Sequence, residues 1–402
     1  MNFKKNTLTA ILAMAVSALL SLQACSSKKA DEPISVRMVQ SEIARMPQSW
    51  MLDFSKALKW NYCHGLELQA FLDVADMYPE HQEFVDYAIS YADTIINEEG
   101  NILTYKQERF NIDHVNSGKI LFRIYDKTKN EKYRKALALL RDQLAKQPRT
   151  SEGGFWHKAI YPNQMWLDGL YMGTPFYAEY AARFNEPEAW DDITNQFVTV
   201  ARHTYDPATG LYRHAWDESR GMGWADSITG QAPHVWGRAV GWYMMAMVDV
   251  LDFMPQSHPG RDSLLNILQP LAQTLLKYQD PVTGAWSQVL DMPEREGNYQ
   301  ETSCTSMFAY AFMKGARMGY LDDTFRQAGL KAYNGLVDNF LVTDEQGNLT
   351  LTRVCGVAGL GGNPYRDGSF DYYINEVIRD NDPKGVAPFI MAALEAERLN
   401  KK

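Results

Sequence analysis

The sequence has little of what would build a disulfide scaffold, a zinc site, a nucleic-acid surface or a membrane bundle. It carries four cysteines in 402 residues. Setting aside Cys25, the remaining Cys63, Cys304 and Cys355 are odd in number and lack CxxC spacing. That pattern excludes a disulfide framework and a structural zinc site, and the three read as buried thiols. Cys304 heads an apolar helical run with no neighbouring histidine, so it does not read as a nucleophile. Positive charge is scarce, with a net charge of −9. Nucleic acid wants a basic face and is not expected as a partner. An anionic small substrate is not excluded, because charges are screened beyond about 10 Å. After residue 24 no apolar run approaches the ~20 residues of a transmembrane helix. Between residues 35 and 400 there is no Pro/Gly/Ser-rich linker or charge block, which predicts one large domain. Strand-like runs are few; "GNLTLTRVC" (347–355) is one hairpin-like piece.

What is present begins with a leader. Lys4 and Lys5 precede the apolar run "LTAILAMAVSALLSL", which has secretory length and is short for a span. "LQAC" followed by "SSKKADEP" resembles a bacterial lipoprotein signal. The resemblance implies a signal peptide over 1–24, lipid on Cys25 and a polar tether over 25–34. It implies a membrane-anchored lipoprotein facing the periplasm or the cell exterior. Removing Lys4 and Lys5, with no acid among residues 1–24, takes the net charge from −9 to −11.

The rest has a helical rhythm. Six runs are apolar nearly all round and read as buried: 60–77, 117–126, 175–184, 238–253, 303–318 and 385–398. Six others are one-faced and alternate with them: 35–57, 82–97, 130–146, 187–203, 261–279 and 323–340. Alternating inner and outer helices, six of each, predict an all-α (α/α)6 barrel over 35–402. Each inner helix is buried only when neighbours close the ring. An open solenoid keeps a fixed short repeat, whereas the intervals here are unequal.

The unusual residues fall just ahead of the buried runs, in loops that share one end of such a barrel. The N-termini of the inner helices then face that end with free N–H groups, a setting suited to an anion. The loops hold Trp156, Trp166, Trp216, Trp224, Trp236, Trp242, Tyr161 and Tyr365 among Gly, Asn and Asp. Aromatic faces with polar neighbours suit a carbohydrate pocket. In "NQMWLDGLYMG" (163–173), Asp168 stands among Trp166, Leu167, Leu170, Tyr171 and Met172. Thr174-Pro175 offers a cap and a first-turn proline, predicting a helix that starts there and leaves Asp168 on the preceding loop. Apolar neighbours would favour its protonated form. Asp113 keeps polar company, Asn111, His114 and Asn116, which favours a carboxylate. Two carboxyls in contrasting settings suggest divided acid and base roles. His114, His157, His214 and His234 share these loops without metal-ligand spacing, and no metal is expected. Arg238, between Trp236 and Trp242, either grips a carboxylate or forms a helix-terminal ion pair. Asp226 and Asp367 have no assigned role.

Five blocks carry a resemblance: "NIDHVNSGKILFRIYD", "FWHKAIYPNQMWLDGLYMGTPFYAEYA", "VWGRAVGWYMMAMVDVL", "TSCTSMFAYAFMKG" and "YRDGSFDYYINEVIRDNDPKGVAPFIMAALE". Together, over roughly residues 40–400, the chain resembles glycoside hydrolase family 105, the unsaturated rhamnogalacturonyl hydrolases. The resemblance implies an (α/α)6 barrel and a 4,5-unsaturated uronic acid, chiefly galacturonate, at the non-reducing end of lyase-generated oligosaccharides. It implies hydration of the double bond without a cofactor. Asp168 matches the general acid/base and Asp113 the second aspartate. His214, Trp236 and Arg238 match substrate-contacting positions, His157 and Trp242 other pocket positions. "WNYCHG" offers Tyr62 or Trp60 as a further pocket aromatic. The alternatives are an unsaturated glucuronyl hydrolase of the family 88 type and a glycosidase of the same fold acting on saturated chains.

Overall fold

The computed structural model describes residues 32–400. The leader, Cys25 and most of the tether lie outside the described residues. Among the described residues, twelve long helices alternate between two layers. The outer helices are α1 (Ile34–Arg45), α3 (Gln82–Ile95), α5 (Glu131–Lys146), α7 (Ala189–Thr204), α9 (Gly260–Leu275) and α11 (Asp323–Phe340). The inner ones are α2 (Tyr62–Met77), α4 (Lys119–Thr128), α6 (Leu167–Phe184), α8 (Gly237–Val250), α10 (Thr302–Arg317) and α12 (Pro383–Asn400). The inner helices follow one another around a ring, and α12 packs against α2 to close it. The expected (α/α)6 barrel is therefore the fold.

Burial explains the layering. All but the last residue of α10 are buried, and its Thr305 and Ser306 hydroxyls satisfy themselves on the carbonyls of Glu301 and Thr302 at 2.7 Å. The outer helices bury one stripe and show the other to water, as in α3 and α7. Side-chain caps set several starts: Asn61 accepts from the Cys63 amide at 3.0 Å, and Glu301 from those of Ser303 and Cys304. Glycine permits one close crossing. A Cβ on Gly65 of α2 would stand 2.2 Å from the Ser117 Cα, so only glycine lets the turn carrying Asp113 lie against that helix.

Two expectations need correction. The first outer helix ends at Arg45, short of residue 57, and a 3-10 turn at Ser49–Met51 follows it. The third inner helix starts at Leu167 and carries Pro175 inside it, rather than starting at Thr174. A ribbon sets this start. β1 (Gln164–Trp166) pairs antiparallel with β4 (Ala215–Asp217), and the Leu167 amide donates to the His214 carbonyl at 3.1 Å. The chain is thus delivered into helix about two turns early, and Asp168 becomes a first-turn residue. Of the other short strands, β2 (Tyr205–Asp206) pairs with β3 (Leu211–Tyr212). The strand expected near 349 is β6 (Leu349–Leu351), whose partner β5 (Leu341–Thr343) follows α11. No helix among the described residues is long and apolar enough to cross a membrane.

Candidate active site

Inner-helix N-termini converge on one cavity. Tyr62 is the first residue of α2, Asp113 precedes α4, and Asp168 lies in the first turn of α6. Trp236 and Arg238 flank the start of α8, and Lys384 lies in the first turn of α12. All six line the cavity, together with His157, Trp166, Trp242 and others.

The two aspartates stand in different fields. Asp113 is clamped by Lys158 Nζ at 2.7 Å and His157 Nε2 at 3.2 Å. Burial alone would raise its pKa. Lys158 and then His157 outweigh that and hold the carboxyl well below the usual range. The expected carboxylate is present, but its cause is this pair and not the sequence neighbours. Asn116 turns away to donate to the Tyr62 carbonyl at 3.0 Å, while Asn111 accepts from the Asp113 amide at 3.1 Å.

Asp168 has no such clamp. Its side chain is 14% exposed, and its Oδ2 is buried 3.2 Å from His214 Nε2. Its sequence-adjacent Trp166 lies beyond that histidine's edge and stacks instead on His157 at 4.5 Å. Asp168 thus faces the cavity from a partly apolar wall, with an imidazole behind it.

Arg238 answers both readings left open above. It lines the cavity and is also ion-paired with the buried Glu301, Nη2 to Oε1 at 3.5 Å. Its Nε donates to Ser303 Oγ at 2.7 Å, Nη1 to the Gly356 carbonyl at 3.2 Å, and Nη2 to the Cys355 carbonyl. Burial works against its charge, and Glu301 more than offsets it, so the guanidinium stays charged. Of the five N–H donors, one on Nη1 remains for a ligand.

Tyr62, rather than Trp60, is the cavity aromatic; Trp60 points its Nε1 at the His114 carbonyl, 2.7 Å away. Trp242 stacks on Tyr171 at 4.8 Å, and Trp236 donates to Gln288 Oε1 at 3.2 Å. His214 differs from expectation. It is wholly buried and stands behind Asp168 rather than at the cavity surface. Trp156, Trp216, Trp224 and Tyr365 are not among the lining residues; Trp224 joins Trp166 in a small cluster over the ribbon.

Sequence reasoning missed three cations and a phenol. Lys158 adjoins His157, yet its pairing with Asp113 bridges two loops. Arg366 reaches the wall from the loop before α12, donating to the Tyr161 hydroxyl at 2.9 Å. Lys384 pairs with Asp382 at 2.7 Å and faces the same space. Tyr373 brings its hydroxyl to 2.7 Å from His214 Nδ1. Four cations face two carboxyls, so the cavity favours an anion.

The three cysteines are buried free thiols, as read from the sequence. Burial raises the Cys304 pKa, which leaves it a poor nucleophile.

Comparison with known proteins agrees. The model of Glycosyl Hydrolase Family 88 matches residues 34–400. A solved family 105 glycoside hydrolase from C. acetobutylicum ATCC 824 is 45% identical, with a TM-score of 0.87, and the match covers 91% of this chain and 100% of that one. Protein Atu3128 of Agrobacterium fabrum is 41% identical over 231 residues, 56% of this chain and 98% of its own. The unsaturated rhamnogalacturonyl hydrolase YesR of Bacillus subtilis is 26% identical over 279 residues, 67% of this chain and 74% of its own. A family model spanning the whole helical ring, and a family 105 structure aligned along its full length, show that this chain is a glycoside hydrolase belonging to the family 88 group and, within it, to family 105.

Proposed function

We propose that the enzyme removes a 4,5-unsaturated uronic acid from the non-reducing end of lyase-generated oligosaccharides, rhamnogalacturonan fragments first among them, by hydrating the C4=C5 double bond. The observation that carries this reading is the contrast between two aspartates on one cationic cavity. Asp113 is held as a carboxylate by Lys158 and His157, whereas Asp168 has no lysine or arginine against it, and its buried Oδ2, 3.2 Å from His214 Nε2, accepts no hydrogen bond. Arg238, Lys384 and Lys158 supply positive charge for the uronate carboxylate, and Trp236, Trp242 and Tyr62 supply flat faces for the ring.

In this mechanism Asp168 gives its proton to C4, and positive charge develops at C5 and the ring oxygen. Asp113 holds ring hydroxyls and steadies that charge. Water then adds to C5 while Asp168 takes back a proton, so that one water is added across the double bond. The resulting hemiketal opens, and the anomeric carbon releases its neighbour. The spacing rule for retaining and inverting carboxylate pairs does not apply to this chemistry.

Elimination removes the stereocentre at C4, so unsaturated galacturonate and glucuronate share one ring. Choice between parent polysaccharides therefore rests on the anomeric linkage and the leaving sugar. The test is a panel of unsaturated disaccharides that differ in the leaving sugar, followed by loss of double-bond absorbance. Turnover fastest with rhamnose as leaving sugar supports the proposal. Turnover of saturated substrates alone would replace it with ordinary glycoside hydrolysis.

The proposal includes a membrane anchor through lipid on Cys25, with the barrel facing the periplasm or the medium. Two or more acyl chains hold a soluble domain stably on a bilayer. Labelled fatty acid should enter the wild-type chain and not Cys25→Ala; equal labelling would refute the anchor.

A further inference from the structure

We infer that Arg366 is a specificity-determining residue that binds an anionic group on the leaving side of the substrate, beyond the unsaturated uronate. The inference deepens the proposed function and rests on it. The observation behind it is a charge without a partner. The other three cavity cations are each matched by an acid of the protein. Lys158 pairs with Asp113 at 2.7 Å, Lys384 with Asp382 at 2.7 Å and Arg238 with Glu301 at 3.5 Å. Arg366 lines the same cavity, and among the described residues it pairs with no carboxylate. Its neighbour Asp367 instead accepts from the Ser369 amide at 2.9 Å.

The guanidinium is nonetheless held in one place. Its loop folds back on itself, with the Gly361 amide donating to the Arg366 carbonyl at 2.8 Å. Nε donates to the Gly361 carbonyl at 2.8 Å, and Nη2 to the Leu360 carbonyl at 3.1 Å and the Tyr161 hydroxyl at 2.9 Å. Both N–H donors on Nη1 make no hydrogen bond among the described residues. A Cβ on Gly359 would stand 2.2 Å from Nη1, so glycine there keeps the space beside these donors open. The two residues before it, Val357 and Ala358, line the cavity. A planar fork with unused donors, fixed before the ligand arrives, recognises a carboxylate or a sulfate.

Position separates Arg366 from the uronate. Arg238 and Lys384 are buried, whereas Arg366 is half-buried and Val357 near it is exposed. A terminal sugar enters first and takes the depth of the cavity, so its leaving neighbour meets the rim. Stacked rings set the separation. His157, which contacts Asp113, stacks on Trp166 at 4.5 Å, and Trp166 stacks on Tyr161 at 5.2 Å. The Tyr161 hydroxyl then meets Arg366. Asp113 and Arg366 thus stand at opposite ends of three stacked rings, further apart than one sugar spans. The anionic group has two chemical sources: a sulfate ester on the leaving sugar, or the carboxylate of the sugar after it.

The test compares kcat/KM on three substrates that share the unsaturated uronide. One has a neutral rhamnose as leaving sugar, one a sulfated rhamnose, and one a rhamnose followed by a uronic acid. At least one anionic substrate should exceed the neutral one about tenfold or more, the scale of a charge-assisted hydrogen bond. Whichever does so names the source. Arg366→Gln should bring that ratio close to one, and Arg366→Lys, which keeps the charge and loses the fork, should leave an intermediate value. A ratio near one in the wild type overturns the inference, as does a ratio that survives Arg366→Gln. Should Arg366→Gln not fold, Arg366→Lys decides, by lowering the ratio or leaving it intact. Should no unsaturated uronide be turned over, the proposed function falls. Calorimetric binding of the same three sugars to the wild type and Arg366→Gln then decides the inference by the same ratio.

Discussion

At the scale of single residues, the site depends on which carboxyl is clamped. Lys158 is the nearest cation to Asp113 and the strongest influence opposing its burial. Removing it in Lys158→Ala should raise the Asp113 pKa, because a buried carboxylate then loses its main counter-charge. Protonation of Asp113 then begins at higher pH, so the acid limb of the kcat/KM profile should move upward. KM should rise about tenfold or more, as expected for a charged hydrogen bond worth roughly 1.5–3 kcal/mol. An unmoved acid limb would show that Lys158 does not hold Asp113 ionised.

The same clamp bears on stability. A depressed folded pKa contributes stability above the unfolded value, near 3.8, and that contribution is lost as pH falls toward the folded value. Asp113→Asn should therefore flatten the acid side of the thermal stability profile; an equally steep profile would contradict this.

Most of the cavity's residues were legible one at a time. Asp113, Asp168, Tyr62, His157, Trp236, Arg238 and Trp242 all line it. The cations Arg366 and Lys384 were not, because nothing local distinguishes a lysine facing a cavity from one facing solvent. Tyr373 stayed hidden because its partner is 159 residues away in sequence.

At the scale of elements, the sequence reveals helices better than their starts. The alternation of buried and one-faced runs survives because it reflects burial itself. Thr174-Pro175 misleads because the β1–β4 pairing begins the helix at Leu167, and no local rule contains that pairing. Packing around α6 then accommodates a proline that isolated helices disfavour.

Helix α2 supports two measurements. Gly65→Ala places a methyl into Ser117 backbone and should cost about 1–3 kcal/mol, the range for overpacking. An unchanged melting temperature would mean the crossing is looser than described.

Glu67 of the same helix is fully buried, and burial first, then the charge of Glu42, pushes its pKa well above 4.5. The folded state thus keeps a proton the unfolded chain has lost. That contribution erodes stability as pH rises from the unfolded value toward the folded one. Glu67→Gln should stabilise the protein more at about pH 8 than at about pH 5. An equal change at both would remove Glu67 from this role.

At the scale of the whole molecule, closure of the ring makes site and fold one object. Segments before α4, at the start of α6 and around α8, α10 and α12 meet only because α12 returns to α2. Ser35 near the start of α1 also clips to Glu397 of α12, Oγ to Oε2 at 2.6 Å. The helical ring was legible because its pattern repeats along the chain. The charge balance of its mouth was not, since it sums residues contributed by separate loops.

The central claim is that this mouth protonates a carbon–carbon double bond. Turnover of an unsaturated uronide in heavy water tests it most directly. The account predicts one deuterium at C4 of the released sugar, on a single face, with none formed by Asp168→Asn. Product without deuterium at C4, formed as fast by the wild type, would contradict it.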